Sequence, residues 1–171
     1  MPYFNIVAAT SENTVVTKYE PVKARSDSYQ SEAALEQEFI RLLCEQGYEY
    51  LQIHTEKDLI SNLRNRLETL NHYQFSDTEW QQFFADCVAN PNEHIVEKTR
   101  KIQEDFVQVL KRDDGSTKNI TLMDKKNIHN NSLQVINQYV LGKEDGAKYD
   151  NRYDVTVLVN GLPLVHIELK R

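Results

Sequence analysis

Apolar residues recur every three or four positions in several parts of the chain, which is the spacing of one face of an α-helix. Helices are predicted after Ser31, Thr55 and Ser76, each of which can cap a helix, and Ser76 begins a capping box. A fourth helix is predicted from Pro91, which suits a first turn, to about Glu104. The predicted buried faces contain Leu35, Phe39, Leu42 and Leu43; Leu59, Leu63, Leu67 and Leu70; and Trp80, Phe83, Phe84, Cys87 and Val88.

Strand patterns lie on both sides of these helices. Short β-rich runs predict one hairpin near the start and a second across residues 113–116, and a further strand precedes a mobile polar loop at 142–151. Helices followed by a mostly antiparallel sheet favour an α+β or mixed α/β fold. The predicted strand segments are residues 4–8 with 14–19, 106–112 with 118–124, and 133–141.

The C-terminal residues 153–171 form the most informative pattern. Two β-rich runs flank Asn160 and Gly161, a strong hairpin-turn signal. A plain two-residue loop would mix polar and apolar side chains on both faces. One extra residue, either Leu162 in the loop or a bulge nearby, gives one dry face and one polar face. The resulting pairs are Asp154 with Glu168, Val155 with Ile167, Thr156 with His166, and Val157 with Val165.

Asp154 and Glu168 carry candidate chemistry in this register. Directly opposed residues have Cβ atoms about 4.5–5.5 Å apart, so the two carboxylates would repel unless a cation neutralised them. Mg²⁺ accepts such oxygen ligands, and Lys170 lies on the same face, within reach of an attacking water or a phosphate. These residue types are the minimal set for a metal-dependent phosphodiesterase. On spacing alone, three solvated charges on a half-exposed hairpin are the preferred interpretation.

Residues 152–170 resemble the PD-(D/E)xK nuclease core, and more narrowly the N-terminal domain of the R (restriction) subunit of type I restriction-modification enzymes. Tyr153 stands where the motif's name has proline. The resemblance covers nearly the whole chain and implies one domain over residues 1–171, with a restriction-endonuclease-like core in which helices flank a central mixed or antiparallel sheet. Other similar stretches are residues 29–36, 47–50, 62–64, 97–100 and 137–138.

The resemblance implies a Mg²⁺-dependent endonuclease, a type I site-specific deoxyribonuclease that cuts unmodified double-stranded DNA. Asp154 and Glu168 would be metal ligands together with the main-chain carbonyl of Leu169. Lys170 would position the attacking water or help deprotonate it. Four further residues are candidates for contacts around these groups, although solvated charge or a structural imidazole is the alternative: Glu32, Glu36, Arg152 and His166.

The resemblance also predicts what lies outside this chain. Relatives continue into a helix with a Gln-x-x-x-Tyr motif and then into a helicase-like ATPase motor. A phosphate loop requires G-x-x-x-x-G-K-[S/T], and residues 142–148 come nearest with the wrong spacing. We therefore expect a fragment that ends just after the Glu-x-Lys motif and is inactive alone. ATP would be needed by the full-length subunit, whose expected partners are the modification (methyltransferase) and specificity subunits.

Composition adds a rival interpretation. The net charge is −6, from 20 basic and 26 acidic residues, which argues against tight DNA binding by this chain alone. It favours a docking module without chemistry as the alternative function. No signal peptide or membrane span is visible, and Cys44 and Cys87 are predicted to be buried free thiols, which together indicate a cytoplasmic protein. The five histidines lack zinc-site spacing.

Overall fold

The computed structural model describes residues 3–9, 15–20, 31–140 and 152–170. The chain divides into two compact units, residues 1–31 and 32–171. The first contains an antiparallel hairpin of strands β1 (Tyr3–Ala9) and β2 (Val15–Glu20), which confirms the first predicted hairpin. The single-domain prediction stays a prediction, and the predicted loop at 142–151 lies outside the described residues.

The helices of the second unit begin largely where the capping residues predicted. The Thr55 hydroxyl accepts the Asp58 N–H at 3.1 Å, and Ser76 forms the predicted capping box with Glu79. The segments are α1 (Glu32–Glu45), α2 (Glu56–Asn71), α3 (Asp77–Phe83), a π-helical segment (Phe84–Val88), α4 (Ile95–Gln103) and a 3₁₀ turn (Ile128–Asn130).

Helix α4 corrects one prediction, because it begins at Ile95 and not at Pro91. Pro91 lies in a turn that the Glu93 N–H closes onto the Asn90 carbonyl at 3.2 Å. The Glu97 carboxylate then accepts the His94 N–H at 3.0 Å, which places the start of the helix after His94. A proline suits a turn as well as a first helical turn, so the turn that follows Asn90 decided the boundary.

The central sheet has four strands in the order β3-β6-β7-β8. Strand β3 runs parallel to β6, and the other pairs are antiparallel, so the sheet is mixed, as predicted. A separate hairpin of β4 and β5 confirms the predicted one around residues 113–116. The strands are β3 (Glu49–Tyr50), β4 (Val107–Lys111), β5 (Thr117–Thr121), β6 (Leu133–Val140), β7 (Arg152–Val159) and β8 (Leu162–Ile167).

Helices α1 and α2 flank opposite faces of this sheet. Successive residues of a strand point to opposite faces. Ile136 packs in a cluster against Leu59 of α2, whereas its neighbour Asn137 donates a hydrogen bond to Glu36 of α1. The larger apolar cluster joins α2, α3, the β4–β5 hairpin and the start of β8. Its fully or nearly fully buried members are Leu63, Leu67, Phe75, Trp80, Phe83, Leu110, Ile120, Leu122 and Leu162. The α+β prediction is therefore confirmed.

Two parts of the predicted helix faces are less buried than expected. Phe84, Cys87 and Val88 pack against the larger apolar cluster but are only partly buried, and the chain is π-helical over these residues. On α1, Leu42 and Cys44 are exposed. Both cysteines are free thiols, but neither is buried. Within the described residues, no helix combines the length and apolar character needed to cross a membrane.

The predicted division of the C-terminal hairpin into a dry and a polar face is wrong. On the predicted polar face, Thr156 is 1% exposed and Leu158 is fully buried, whereas Val165 on the predicted dry face is exposed. Strand β7 is an inner strand of the sheet, and helices α1 and α2 cover its two faces, whereas β8 is an edge strand. Position in the sheet, more than polarity, therefore determines burial here.

Candidate active site

The turn between β7 and β8 is fixed against the rest of the unit. Asn160 and Gly161 have φ angles of 52° and 82°, as a two-residue hairpin turn of type I′ requires. The buried Asn160 side chain accepts the Ser132 N–H at 2.8 Å and donates to Asn131 Oδ1 and the Leu122 carbonyl. A Cβ on Gly161 would lie 2.6 Å from the Leu63 Cα, so the turn touches the backbone of α2.

The predicted register of the hairpin is confirmed in the three pairs from Val155–Ile167 to Val157–Val165. The ladder then shifts to Leu158–Pro163 and Val159–Leu162, so the extra residue is Leu164. The loop keeps two residues because the type I′ turn matches the strand twist, and the edge strand β8 takes up the bulge. Of the two predicted locations for the extra residue, the bulge is correct and Leu162 is not.

Strand β8 ends at Ile167, so the pairing predicted between Asp154 and Glu168 is not part of the ladder. Instead, the Leu169 N–H donates to Asp154 Oδ2 at 2.7 Å. This bond brings the segment of Glu168, Leu169 and Lys170 to Asp154 by a side-chain contact. The Asp154 carboxylate thus accepts the Leu169 N–H in place of a backbone carbonyl of β7, which would accept a hydrogen bond here if β8 were longer.

The charged residues of this segment differ in exposure from Asp154. The side chains of Glu168 and Lys170 are 64% and 77% exposed, and they form an ion pair at 3.0 Å. Asp154 is half-buried on β7. The three predicted catalytic residues therefore lie at one end of one hairpin, with the acid on β7 fixed and the other two in solvent.

Glu36 of α1 is a buried carboxylate, at 8% exposure, whereas Glu32 at the start of the same helix is exposed. Glu36 Oε1 accepts a hydrogen bond from Asn137 Nδ2 at 2.5 Å, and Oε2 accepts one from Gln138 Nε2. The Tyr50 hydroxyl donates to Asn137 Oδ1 at 2.7 Å. Of the two glutamates named from the sequence, only Glu36 is therefore held by the sheet.

Gln138 links Glu36 to the strand that carries Asp154. The pairs Asn137–Val155 and Tyr139–Tyr153 flank it, so Gln138 lies opposite Asp154 in the register. Its φ of 54° is unusual for a residue inside a strand. Sequence reasoning gave Gln138 no role, and its only signal was that residues 137–138 belong to a stretch similar to the family. Next to this network, α1, Tyr50, Asn137 and Gln138 border a cavity of about 500 Å³.

His166 makes its contacts within the hairpin. Its Nδ1 lies 2.9 Å from the Thr156 hydroxyl, and its ring stacks on Tyr153 with centroids 4.1 Å apart. Partial desolvation lowers the pKa of His166 below its usual value, although the residue as a whole is exposed. These contacts favour the structural interpretation of His166. Arg152, the remaining candidate, begins β7 and pairs with Val140.

Residues 29–171 match the family described as the N terminus of the type I restriction enzyme R protein. The chain belongs to this family. The match begins close to residue 32, where the second structural unit starts. The first unit lies almost entirely before the matched residues.

Comparison with curated proteins gives the same answer. The chain is 44% identical over 166 residues to the type I restriction enzyme EcoprrI endonuclease subunit of Escherichia coli, covering 96% of this chain and 52% of that protein. It is 38% identical to the SsaAORF53P endonuclease subunit of Staphylococcus saprophyticus and to the SauMW2ORF169P endonuclease subunit of Staphylococcus aureus, covering 84% of this chain. The chain thus spans about half of the first relative and 15% of the other two.

Proposed function

We propose that this chain is the Mg²⁺-dependent endonuclease domain of a type I restriction enzyme and hydrolyses phosphodiester bonds of unmodified double-stranded DNA. The observation that carries the proposal is the 2.7 Å hydrogen bond from Leu169 N–H to Asp154. It keeps Glu168 and Lys170 next to the half-buried acid, in a family whose relatives are named endonuclease subunits.

The donor set suits Mg²⁺. Asp154, Glu168 and the main-chain carbonyl of Leu169 offer only oxygen ligands, which hard divalent cations prefer. Within the described part of the chain, no group of three or more His, Cys, Asp or Glu side chains is placed to hold a metal ion. A site with two carboxylates and one carbonyl is compatible with that finding. When bound, Mg²⁺ would stabilise charge on the phosphate and lower the pKa of a water.

The protein groups have distinct parts in this proposal. The Leu169 N–H orients the Asp154 carboxylate, and β7 fixes its position inside the sheet. Lys170 binds the attacking water or the scissile phosphate through its ammonium group. Its ion pair with Glu168 is no obstacle, since both side chains are well exposed and such surface pairs contribute about 0–1 kcal/mol.

The remaining functions belong to the rest of the enzyme. The other part of the subunit binds ATP and translocates the DNA, and the modification and specificity subunits select the sequence in the cytoplasm. The net charge of −6 agrees with this division, because non-specific DNA affinity depends on basic side chains. In this proposal the chain cleaves the DNA, and other parts of the enzyme supply most of the DNA-binding affinity.

The test uses the full-length subunit assembled with its partners. Cleavage of unmodified DNA and ATP hydrolysis are followed together in Mg²⁺ for the wild type, Lys170→Ala and Asp154→Asn. Both variants should lose cleavage and keep ATP hydrolysis. Lys111→Ala, at an exposed lysine on β4, is the matched control and should keep both activities. If Lys170→Ala and Asp154→Asn both cut DNA normally, the assignment of the site to this hairpin is wrong.

The acidic charge favours a second candidate, a docking module of the same subunit without chemistry. In that case the exposed Glu168–Lys170 pair would contact another part of the enzyme. Substituting Lys170 would then weaken assembly of the complex, measured by size-exclusion chromatography, and would reduce cleavage and ATP hydrolysis together. Loss of cleavage alone, in an intact complex, excludes this candidate.

A further inference from the structure

Gln138 adopts a left-handed backbone conformation inside β6, with a φ of 54°. Two other described non-glycine residues with positive φ have local reasons for it: His72 ends α2, and Asn160 occupies a tight turn. Side chains with a Cβ are disfavoured in this region, and glutamine has no local hydrogen bond that offsets the cost. Such strain persists only where the surroundings impose it, and it concentrates at functional sites.

The strained residue changes which side chains share a face of the sheet. In a regular strand, Asn137 and Gln138 would point to opposite faces. Here both amides donate to Glu36, one to each carboxylate oxygen. The next residue, Tyr139, packs in the same buried cluster as Ile136, three positions earlier, although regular alternation would separate them. The left-handed step at Gln138 thus produces a two-point hold on Glu36.

This hold lies on the strand next to the one that carries Asp154. The register places Gln138 across from Asp154, although the ladder passes over this pair between Asn137–Val155 and Tyr139–Tyr153. The two flanking pairs hold Gln138 on the strand next to the one that carries the proposed metal ligand, and its amide holds the Glu36 carboxylate of α1 there. A displacement of Gln138 would change the position of both acidic groups relative to each other.

The oxygen of the Gln138 side-chain amide has no hydrogen-bond donor among the described residues. This atom, Oε1, is buried. A buried acceptor without a partner costs free energy, as does the left-handed backbone. Both costs coincide at Gln138, and local strain of this kind clusters at functional sites.

We infer that Gln138 is a positioning residue of the proposed nuclease site, which holds the Glu36 carboxylate on the strand beside the one that carries Asp154. The inference rests on the proposed function. Its consequence is that removing the amide weakens divalent-metal binding and cleavage without unfolding the domain. Substituting groups that orient metal ligands typically costs about 10–100-fold in metal affinity or activity.

The experiment compares Gln138→Gly with the wild type in the full-length subunit assembled with its partners. Glycine accepts the left-handed backbone and lacks the amide. Relief of the left-handed backbone offsets the lost hydrogen bond to the buried Glu36, so we expect a thermal unfolding temperature close to that of the wild type. The cleavage rate at limiting Mg²⁺ should fall about 10-fold or more, and ATP hydrolysis should persist. Mn²⁺ titration without ATP, with unbound Mn²⁺ measured by electron paramagnetic resonance, should show weaker binding, which is a readout independent of activity.

Two further variants separate the amide from the backbone. Gln138→Met keeps the length of the side chain and the strain but removes the hydrogen bonds to Glu36, so it should lose cleavage and Mn²⁺ affinity as Gln138→Gly does. His72→Gly is the matched control, since it relieves a left-handed residue with a φ of 48° at the end of α2. It should leave cleavage and Mn²⁺ binding unchanged.

Unchanged cleavage and Mn²⁺ affinity in both Gln138 variants would overturn the inference. So would a fall in cleavage that only follows a fall in unfolding temperature, because that result indicates a structural role. Failure of the proposed function is a separate outcome: Lys170→Ala would then cut DNA as the wild type does. If Lys170→Ala abolishes cleavage and the Gln138 variants do not, the nuclease site stands and only the role of Gln138 is wrong.

Discussion

Gly161→Ala tests whether the turn of the hairpin that carries the candidate site touches α2. Gly161 has a φ of 82°, and a Cβ there would lie 2.6 Å from the Leu63 Cα and 3.0 Å from the Leu63 nitrogen. Both obstacles are helix backbone, which cannot rotate away as a side chain can. Alanine at this position therefore has two costs, an unfavourable backbone conformation and a steric clash.

The two costs can be separated with a second glycine. Gly115 has a φ of 79°, and a Cβ there would meet nothing within 4 Å. Gly115→Ala therefore has only the conformational cost, about 1–2 kcal/mol. Gly161→Ala adds overpacking, typically about 1–3 kcal/mol, and the rigid obstacle places it at the upper end. We expect Gly161→Ala to be about 2–3 kcal/mol less stable than Gly115→Ala.

The assay is urea unfolding of the two purified variants and the wild type, followed by circular dichroism and tryptophan fluorescence. With a typical slope of about 2 kcal/mol per M, the midpoints of the two variants should differ by about 1 M. Equal midpoints would refute the close approach of the turn to α2, and with it the anchoring of the β7–β8 hairpin. Unequal slopes would show that one variant changes more than the folded turn.

Three other perturbations follow from the packing. Ser76→Ala removes the hydroxyl that accepts the Glu79 N–H at 3.1 Å and should cost about 1 kcal/mol in urea unfolding; no loss would mean that the cap contributes nothing. Ile136→Ala empties a fully buried site in the sheet and should cost about 3 kcal/mol, against near zero if the site is open to solvent. Partial desolvation lowers the pKa of His166 in the folded protein. The contribution of this group to the free energy of unfolding is therefore fully present above its usual pKa of 6.5 and is lost as the pH falls. The urea midpoint should therefore drop from pH 8 to pH 5, and less so in His166→Gln; an equal drop in both would assign the effect to other groups.

The alternation of polar and apolar residues was sufficient to predict the register of the C-terminal hairpin. Because a shift of one residue would exchange the two faces of a strand, few registers suit residues 153–169. Alternation could not locate the bulge, since Leu162 and Leu164 are both apolar leucines in a β-rich run. It also failed to predict burial, because that depends on the neighbours of β7 in the sheet, which are distant in sequence.

The role of Gln138 was not predictable from the residue itself. Glycine and asparagine signal a left-handed conformation, as Asn160 and Gly161 do, whereas glutamine does not. The left-handed step at Gln138 turns two adjacent amides towards one carboxylate, that of Glu36, more than 100 residues earlier. Tertiary contacts of this kind leave no local signal. The helix start predicted at Pro91 failed for a related reason. Pro91 lies in a turn, and the helix begins only at Ile95.

Asp154 and Glu36 make structural hydrogen bonds, whereas Lys170 and Glu168 are exposed. This difference determines which substitutions test the cleavage reaction without also changing the fold. Asp154 holds the Leu169 N–H, and Glu36 is buried with two hydrogen bonds, so replacing either one also removes structural contacts. Of the three catalytic candidates, the exposed Lys170 and Glu168 can therefore be changed with the least effect on the fold. Among the residues that the structure describes, Lys170 has only a solvent-exposed ion pair to lose, worth about 1 kcal/mol at most. Loss of DNA cleavage in Lys170→Ala, with complex assembly and ATP hydrolysis intact, would consequently reflect the reaction itself. The same loss in an Asp154 or Glu36 variant requires a stability measurement beside it.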